Sequence, residues 1–373
     1  MRRIATSLLP GIPGAATLGI FLLCLNVAPA FSADPPKDKN KRTFLDGQEA
    51  GLDYALQGEW AGAIRVPSWG YLFCGLQVVA RGEGQFEAVL YRGGLPGAGW
   101  DLTNKLKIKG KANEQKIVWL EDHNLKIAVT AWTTTVFDSY GNRAGMLYKQ
   151  NRVSPTMGLL PPTNAVVLYN GQNTDQLKNA KLTDDKLLLA SNVLTKMPVG
   201  DFRLHIEFRT PFMPYAKGQA RGNSGVYIQE RYEVQILDSF GLDGANNECG
   251  GIYTQQKPDL NMALPPLTWQ TYDIWFSQPK WSPDDKKKKL ENAHITVLHN
   301  GVPIHSHYSL KNKTGGGRQE GIELFPIKLQ DHGNPVTFRN IWIVPGQGDV
   351  LPAATAGVYQ PVYQSGCCRR RCR

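Results

Sequence analysis

Between Gly222 and Gly241 the chain reads GNSGVYIQERYEVQILDSFG. Apolar and polar residues alternate there, as in a strand with one buried face. The polar positions carry Glu233, Gln235 and Asp238, with Arg221 and Asn223 just upstream. A strand that only packs places Thr, Lys or Ser at such positions. Here two carboxylates, two amides and a guanidinium fall within twenty residues, which is what a polar ligand or an acid/base reaction needs. An ordinary solvated sheet face is the competing reading of the same pattern.

Strands must position these groups, and the pattern around them is of strands. Asp201 to Thr210 alternates Phe202, Leu204, Ile206 and Phe208 against Arg203, His205, Glu207 and Arg209. Trp269 to Phe276 alternates as well. His294 to His307 reads as a hairpin about Asn300-Gly301, a strong short turn signal. Ile322 to Gln330 and Pro335 to Val344 complete the set, and together they predict two antiparallel sheets packed face to face over 164–345. Ahead of a Pro-rich linker at 153–163, residues 46–152 predict a smaller all-β domain. Its hairpin runs from Gly75–Ala80 through Arg81-Gly82-Glu83-Gly84 to Gln85–Tyr91. Gly93 to Trp100 is a loop, and Leu125–Thr130 and Gly145–Tyr148 are further short strands. No heptad or long helical period occurs.

The start of the chain predicts export. Met1-Arg2-Arg3 precedes an apolar run from Ala15 to Val27, and Ala30 and Ala33 end small-residue cleavage sites, so 1–33 reads as a signal peptide and 34–45 as a polar spacer. The apolar run is short for a membrane span, although an uncleaved anchor is the alternative. The mature protein is expected to be secreted or periplasmic and without a transmembrane span. Of the formal charge of +10, Arg2 and Arg3 leave with the signal, and Arg369, Arg370, Arg371 and Arg373 supply four of the remaining eight. The folded body is only mildly basic, so no nucleic-acid partner is expected, and Lys286–Lys289 reads as a solvated loop tip. Cys74, Cys249, Cys367, Cys368 and Cys372 are an odd and sparse set, so no disulfide scaffold is predicted. The Cys/Arg-rich tail, 346–373, lacks metal-site spacing.

Residues 164–345 resemble the 3-keto-disaccharide hydrolase family. The resemblance rests on VVLYNG (Val166 to Gly171), GDFRLHIEF (Gly200 to Phe208), the Gly222–Ser239 block, CGGIY (Cys249 to Tyr253), WQTYDIWF (Trp269 to Phe276), LQDHG (Leu329 to Gly333) and FRNIWI (Phe338 to Ile343). It implies a concanavalin-like jelly-roll β-sandwich, similar to laminarinase-like glucanases and legume lectins, and a carbohydrate substrate. QGEW (Gln57 to Trp60) and GGLPGAGWD (Gly93 to Asp101) look like a module that accompanies this domain in some members.

Glucanases of that fold carry Glu-x-Asp-x-x-Glu on a strand; here the spacing is Glu233-x-Gln235-x-x-Asp238. An amide at the middle position speaks against the two-carboxylate retaining route. Strict alternation puts Asp238 opposite Glu233, and a one-residue bulge near Ile236-Leu237 would bring it to the same face. A 3-keto sugar asks for different chemistry. Its ketone acidifies C2–H, a base removes that proton, the enolate expels the C1 oxygen, and water adds back. Glu233 or Asp238 is the candidate base, and Arg221 or a metal is the candidate enolate stabiliser. His332 is the candidate acid, unless it is a loop histidine. Asp331 either orients His332 or makes an Asx turn. Arg221, Asn223, Gln235, Tyr253, Gln330 and Asp331 are the candidate substrate-binding residues. No metal is firmly implied, but Glu233, Asp238 and His332 could hold Ca²⁺, Mn²⁺ or Zn²⁺. Trp275, Trp281, Tyr253 and Trp342 are either sugar-stacking or core aromatics. No nucleophile elbow, phosphate loop or dinucleotide fingerprint is present. A lectin-like binding module and an envelope interaction protein anchored by the tail are the alternatives to an enzyme.

Overall fold

The structure, a computed structural model, describes residues 38–349. The signal-peptide, cleavage-site and Cys/Arg-tail expectations lie outside the described residues. Apart from one six-residue helix, α1 (Gly51–Leu56), and two single 3₁₀ turns, the regular structure is antiparallel β. Among the described residues no helix is long and apolar enough to cross a membrane.

The first eight strands are β1 (Gly58–Val66), β2 (Gly70–Ala80), β3 (Gln85–Arg92), β4 (Lys105–Ala112), β5 (Val118–Glu121), β6 (Leu125–Val129), β7 (Thr133–Asp138) and β8 (Arg143–Gln150). Each pairs with its sequence neighbour, and β1 also pairs with β8 through Glu59–Gln150 and Trp60–Lys149, which closes an up-and-down barrel. Period-two alternation fills it. Trp60, Cys74, Leu76, Val78, Phe86, Leu90, Ile127 and Val129 point inward, all fully or nearly fully buried.

The sandwich follows with β9 (Val166–Tyr169), β10 (Leu177–Lys178), β11 (Leu188–Leu189), β12 (Val193–Thr195), β13 (Phe202–Arg209), β14 (Ser224–Ile228) and β15 (Tyr232–Ile236). It continues with β16 (Gln270–Ser277), β17 (Lys280–Trp281), β18 (Lys289–Glu291), β19 (Ala293–His299), β20 (Val302–Leu310), β21 (Lys328–Leu329) and β22 (Thr337–Pro345). One sheet has the order β10-β12-β21-β14-β15. The other runs β11-β22-β13-β16-β19-β20, with β9 added on β22. The core between them is built by Phe202, Leu204, Ile206 and Phe208 from one sheet against Val226, Ile228, Val234 and Ile236 from the other. This is the all-β sandwich the alternation predicts. The β19–β20 hairpin turns at Asn300 (φ 50°) and Gly301 (φ 77°), both left-handed, as a two-residue turn of this twist requires.

The segment from Ile322 to Gln330 corrects an expectation. Only Lys328–Leu329 is strand; the stretch before it contains Pro326, which has no N–H to give a ladder. Trp275 and Trp342 are also not open to a sugar. Both are nearly fully buried on the outer side of the larger sheet, Trp342 stacked on His205 at 5.2 Å. That side is covered by residues 154–159. Thr156 donates to Asp273 (2.7 Å), the Gly158 N–H donates to Glu207 (2.6 Å), and Trp342 Nε1 donates to the Leu159 carbonyl (3.1 Å). Cys74 and Cys249 are buried free thiols.

Candidate active site

Because Tyr232, Val234 and Ile236 enter the core, β15 must present Glu233 and Gln235 on its outer face. The neighbouring strands add what faces them. On β14, Val226 and Ile228 point inward, leaving Gly225 and Tyr227 outward, and Tyr227 is directly opposite Glu233 in register. On β21, Leu329 is in the core, leaving Lys328 and the following Gln330 outward; Lys328 is opposite Tyr227.

Glu233 is 2% exposed. Its carboxyl lies against Gly225, where a Cβ would come within 2.2 Å of Oε1. Glycine inside a strand is a weakening choice unless something must approach the backbone closely, and here a carboxyl does. Burial pushes the Glu233 carboxyl up to about 7, with Tyr227 and Lys328 offsetting part of the push. The Tyr227 hydroxyl donates to the Gly315 carbonyl at 3.0 Å, and Lys328 Nζ sits 4.3 Å from the Tyr227 ring centre. Burial and the nearby Glu233 carboxyl raise the Tyr227 phenol well above its ordinary range, so it stays protonated. The Tyr253 N–H donates to the Glu233 carbonyl (3.1 Å), and a Cβ on Gly315 would meet the Tyr253 ring at 3.2 Å, which sets that ring beside the same loop. The Thr314 hydroxyl accepts the Glu233 N–H (3.0 Å) and donates to the Arg231 carbonyl (3.1 Å), fixing the loop.

A cluster of amides borders the carboxyl. Gln235 Nε2 donates to Gln219 Oε1 (2.9 Å), and Asn223 Nδ2 donates to the Gln219 carbonyl (2.7 Å). The Gln330 N–H donates to the Gly225 carbonyl (2.9 Å). The side-chain oxygens of Gln235, Asn223 and Gln330 are buried and accept no hydrogen bond. Three acceptors without donors are costly in a finished core and suit a ligand that brings hydroxyls.

Other candidates are placed differently. Both Ile236 and Leu237 enter the core, so the alternation does slip there. Asp238, however, is consumed by Arg221: Arg221 Nε donates to Oδ2 at 2.6 Å, and the Phe240 N–H donates to Oδ1 at 3.3 Å. Arg221 also reaches the Ala80 carbonyl at the end of β2 (3.4 Å), and both side chains are buried. The pair is a brace between barrel and sandwich: Asp238, the alternative base, is held by Arg221, and Arg221, the candidate enolate stabiliser, has only Nη2 without a partner. His332 and Asp331 are exposed on the turn after β21, where Asp331 Oδ1 accepts the Gly333 N–H (2.9 Å), an Asx turn. The metal set is corrected as well. Among the described residues no three His, Cys, Asp or Glu side chains meet in a way that could hold a metal ion. Glu233, Asp238 and His332 are therefore not brought together as one metal-ligand set.

Sequence reasoning missed Gly225, Tyr227, Lys328, Thr314 and Gln219. Gly225 carried a signal, a glycine in mid-strand; the loop and β21 residues are brought in by long-range pairing and carried none.

Residues 164–344 match the family model of the 3-keto-alpha-glucoside-1,2-lyase-like domain. One similar solved structure, from Parabacteroides distasonis and described as a candidate glycosyl hydrolase, is 30% identical over 49% of this chain and 84% of that one, with a TM-score of 0.45. A second from the same organism, with the same description, is 18% identical over 50% of this chain and 94% of that one, with a TM-score of 0.34. A comparison with curated proteins finds no match.

Proposed function

Since the chain belongs to the 3-keto-alpha-glucoside-1,2-lyase-like family through residues 164–344, we propose that it is an exported enzyme cleaving the glycosidic bond of 3-keto-glycosides by elimination, with Glu233 as the base. The observation that carries this reading is a single buried carboxyl, pushed up to about 7, set against Gly225 among unpaired amide acceptors. A group with that affinity exchanges protons near neutrality, where a general base works best.

In the reaction, Glu233 takes the C2 proton of the 3-keto sugar, and the C2–H electron pair becomes the enolate. Lys328 supplies the positive charge beside the enolate oxygen. The enolate re-forms the ketone as the C1–O bond breaks, and the leaving oxygen takes a proton from a hydroxyl donor, for which Tyr227 and Tyr253, both beside Gly315, are the candidates. Water then adds at C1 of the enone and gives its proton back to that hydroxyl donor, and C2 regains a proton from Glu233 after the carboxyl has exchanged with solvent. No carboxylate nucleophile is needed, which fits a site with an amide at Gln235 and an Asp238 held by Arg221. The unpaired oxygens of Gln235, Asn223 and Gln330 accept hydroxyls of the sugar.

Those three acceptors also favour a second reading, a lectin-like site that binds sugar without chemistry, because amides are what a binding site uses. Turnover of a 3-keto disaccharide beside its unoxidised parent separates the two. Cleavage of the keto sugar alone supports elimination; binding of either without cleavage supports the lectin-like site.

A further inference from the structure

We propose that the outer wall of the barrel binds acidic polysaccharide, through a lysine ladder on β4 and the aromatic pair beside it. β4 reads KLKIKGKA, and since Ile108 points into the barrel, Lys105, Lys107, Lys109 and Lys111 all point out. Their spacing along the strand is about 7 Å. Adjacent lysines on one face of a strand repel, so sheet stability alone gives no reason for the row.

Its partners neutralise it only in part. Lys105 and Lys107 share Asp243. Arg81 and Lys109 share Glu87, at 2.7 and 3.7 Å. Lys111 is paired in register with Gln85 on one side and Trp119 on the other, neither of them acidic. An open depression is lined by Arg81, Gln85, Glu87, Lys109, Lys111 and Lys217, four cations against one carboxylate. On the far side of Lys111, Trp119 lies 6.3 Å from Phe137, with Lys126 Nζ 4.8 Å from the Trp119 ring centre. Both rings are partly exposed.

Cations at regular spacing beside a partly exposed indole match a polymer of acidic pyranoses. Their carboxylate or sulfate groups meet the lysines, and a sugar face lies on Trp119. The choice of a glycan rests on the proposed function of the sandwich; the charge and the aromatic pair stand without it. The ladder lies on the barrel, apart from Glu233, so it is a docking surface and not part of the cleavage site.

The test is binding of the full chain to polygalacturonate and to heparin, which separate carboxylate from sulfate recognition, with dextran and duplex DNA alongside. The proposal expects retention by at least one acidic polysaccharide and none by dextran, with affinity falling as salt rises. The K109E/K111E variant should lose at least tenfold, and Trp119→Ala at least threefold. Turnover of a small 3-keto disaccharide by both variants should be unchanged, which shows that they fold. Failure to bind either acidic polysaccharide overturns the proposal. So does tighter binding of DNA, or a Trp119→Ala variant that binds normally. Because binding is read apart from turnover, a protein that binds but does not cleave would overturn the proposed function and leave this inference standing.

Discussion

The Glu233 carboxyl occupies the space that a side chain on Gly225 would fill, with Oε1 2.2 Å from where a Cβ would be. The two residues sit on adjacent antiparallel strands, Gly225 opposite Gln235 and Glu233 opposite Tyr227, so the contact is diagonal across the pair. Gly225→Ala must therefore move the carboxyl first, because the three nearest atoms it meets are all in the Glu233 side chain. We expect a folded variant with kcat lowered at least tenfold and KM changed less, measured on a 3-keto disaccharide. Unchanged kcat would separate this carboxyl from the chemistry.

The raised Glu233 affinity makes both activity and stability depend on pH. As a base it must be ionised, so kcat/KM should fall as pH drops through about 7. For stability the sign is opposite. A carboxyl at about 7 in the fold and 4.5 unfolded holds its proton more tightly when native, so stability is full below about 4.5 and declines until about 7. The loss is about 3 kcal/mol, comparable to what one fully buried Val or Ile contributes. Glu233→Gln should thus raise the melting temperature at pH 8, by several degrees, and have little effect at pH 4.5. Equal shifts at both pH values would contradict the burial of an ionising group.

Arg221 and Asp238 should behave as structure. Replacing Arg221 by Leu leaves the Asp238 carboxylate buried beside one backbone N–H and removes the link to Ala80. The expected cost is about 3–5 kcal/mol, seen as a lower denaturant midpoint. Asp238→Asn retains an acceptor for Arg221 and should keep substantial activity; complete loss in a stably folded Asp238→Asn protein would restore it to the catalytic set.

On the opposite side of the sandwich, Glu207 accepts from Gly158 (2.6 Å), Arg339 (2.7 Å) and Asn340 (2.9 Å), and His205 bonds Asp273 (2.8 Å). Although burial alone raises it, His205, followed by Asn340, Arg339 and the Gly158 N–H, holds the Glu207 carboxyl down to about 2, so the stability it gives is present above about 4.5 and lost as pH falls toward 2. His205 is raised by its two carboxylates against the opposing effect of burial, so its contribution is full below 6.5 and lost as pH rises through the raised value. Glu207→Ala should cost about 3–5 kcal/mol and expose residues 154–159 to protease, with kcat on a 3-keto disaccharide unaltered. A protease pattern identical to that of the unaltered protein would show that Glu207 does not hold this segment.

Much of the sandwich was legible because its strands alternate strictly and its hairpin carries Asn300-Gly301. Glu233 and Gln235 were legible for the same reason, since Tyr232, Val234 and Ile236 could face only the core. The roles of Asp238 and Arg221 were not. Their meaning depends on Ala80, 141 residues from Arg221 in sequence, and no local pattern reports such a contact. Lys328 lay hidden in a stretch read as one strand from Ile322, of which two residues are strand and Pro326 breaks the rest. Barrel closure was equally out of reach, because the pairing of Glu59 with Gln150 is a long-range choice among many possible edges.

The central claim is that Glu233 moves the C2 proton, and the direct measurement is turnover of a 3-keto disaccharide in D₂O by the unaltered protein and by Glu233→Gln. Elimination followed by hydration predicts one deuterium at C2 of the released 3-keto sugar, and loss of both cleavage and C2 exchange in the variant. Cleavage with hydrogen retained at C2, or undiminished exchange in Glu233→Gln, would contradict it.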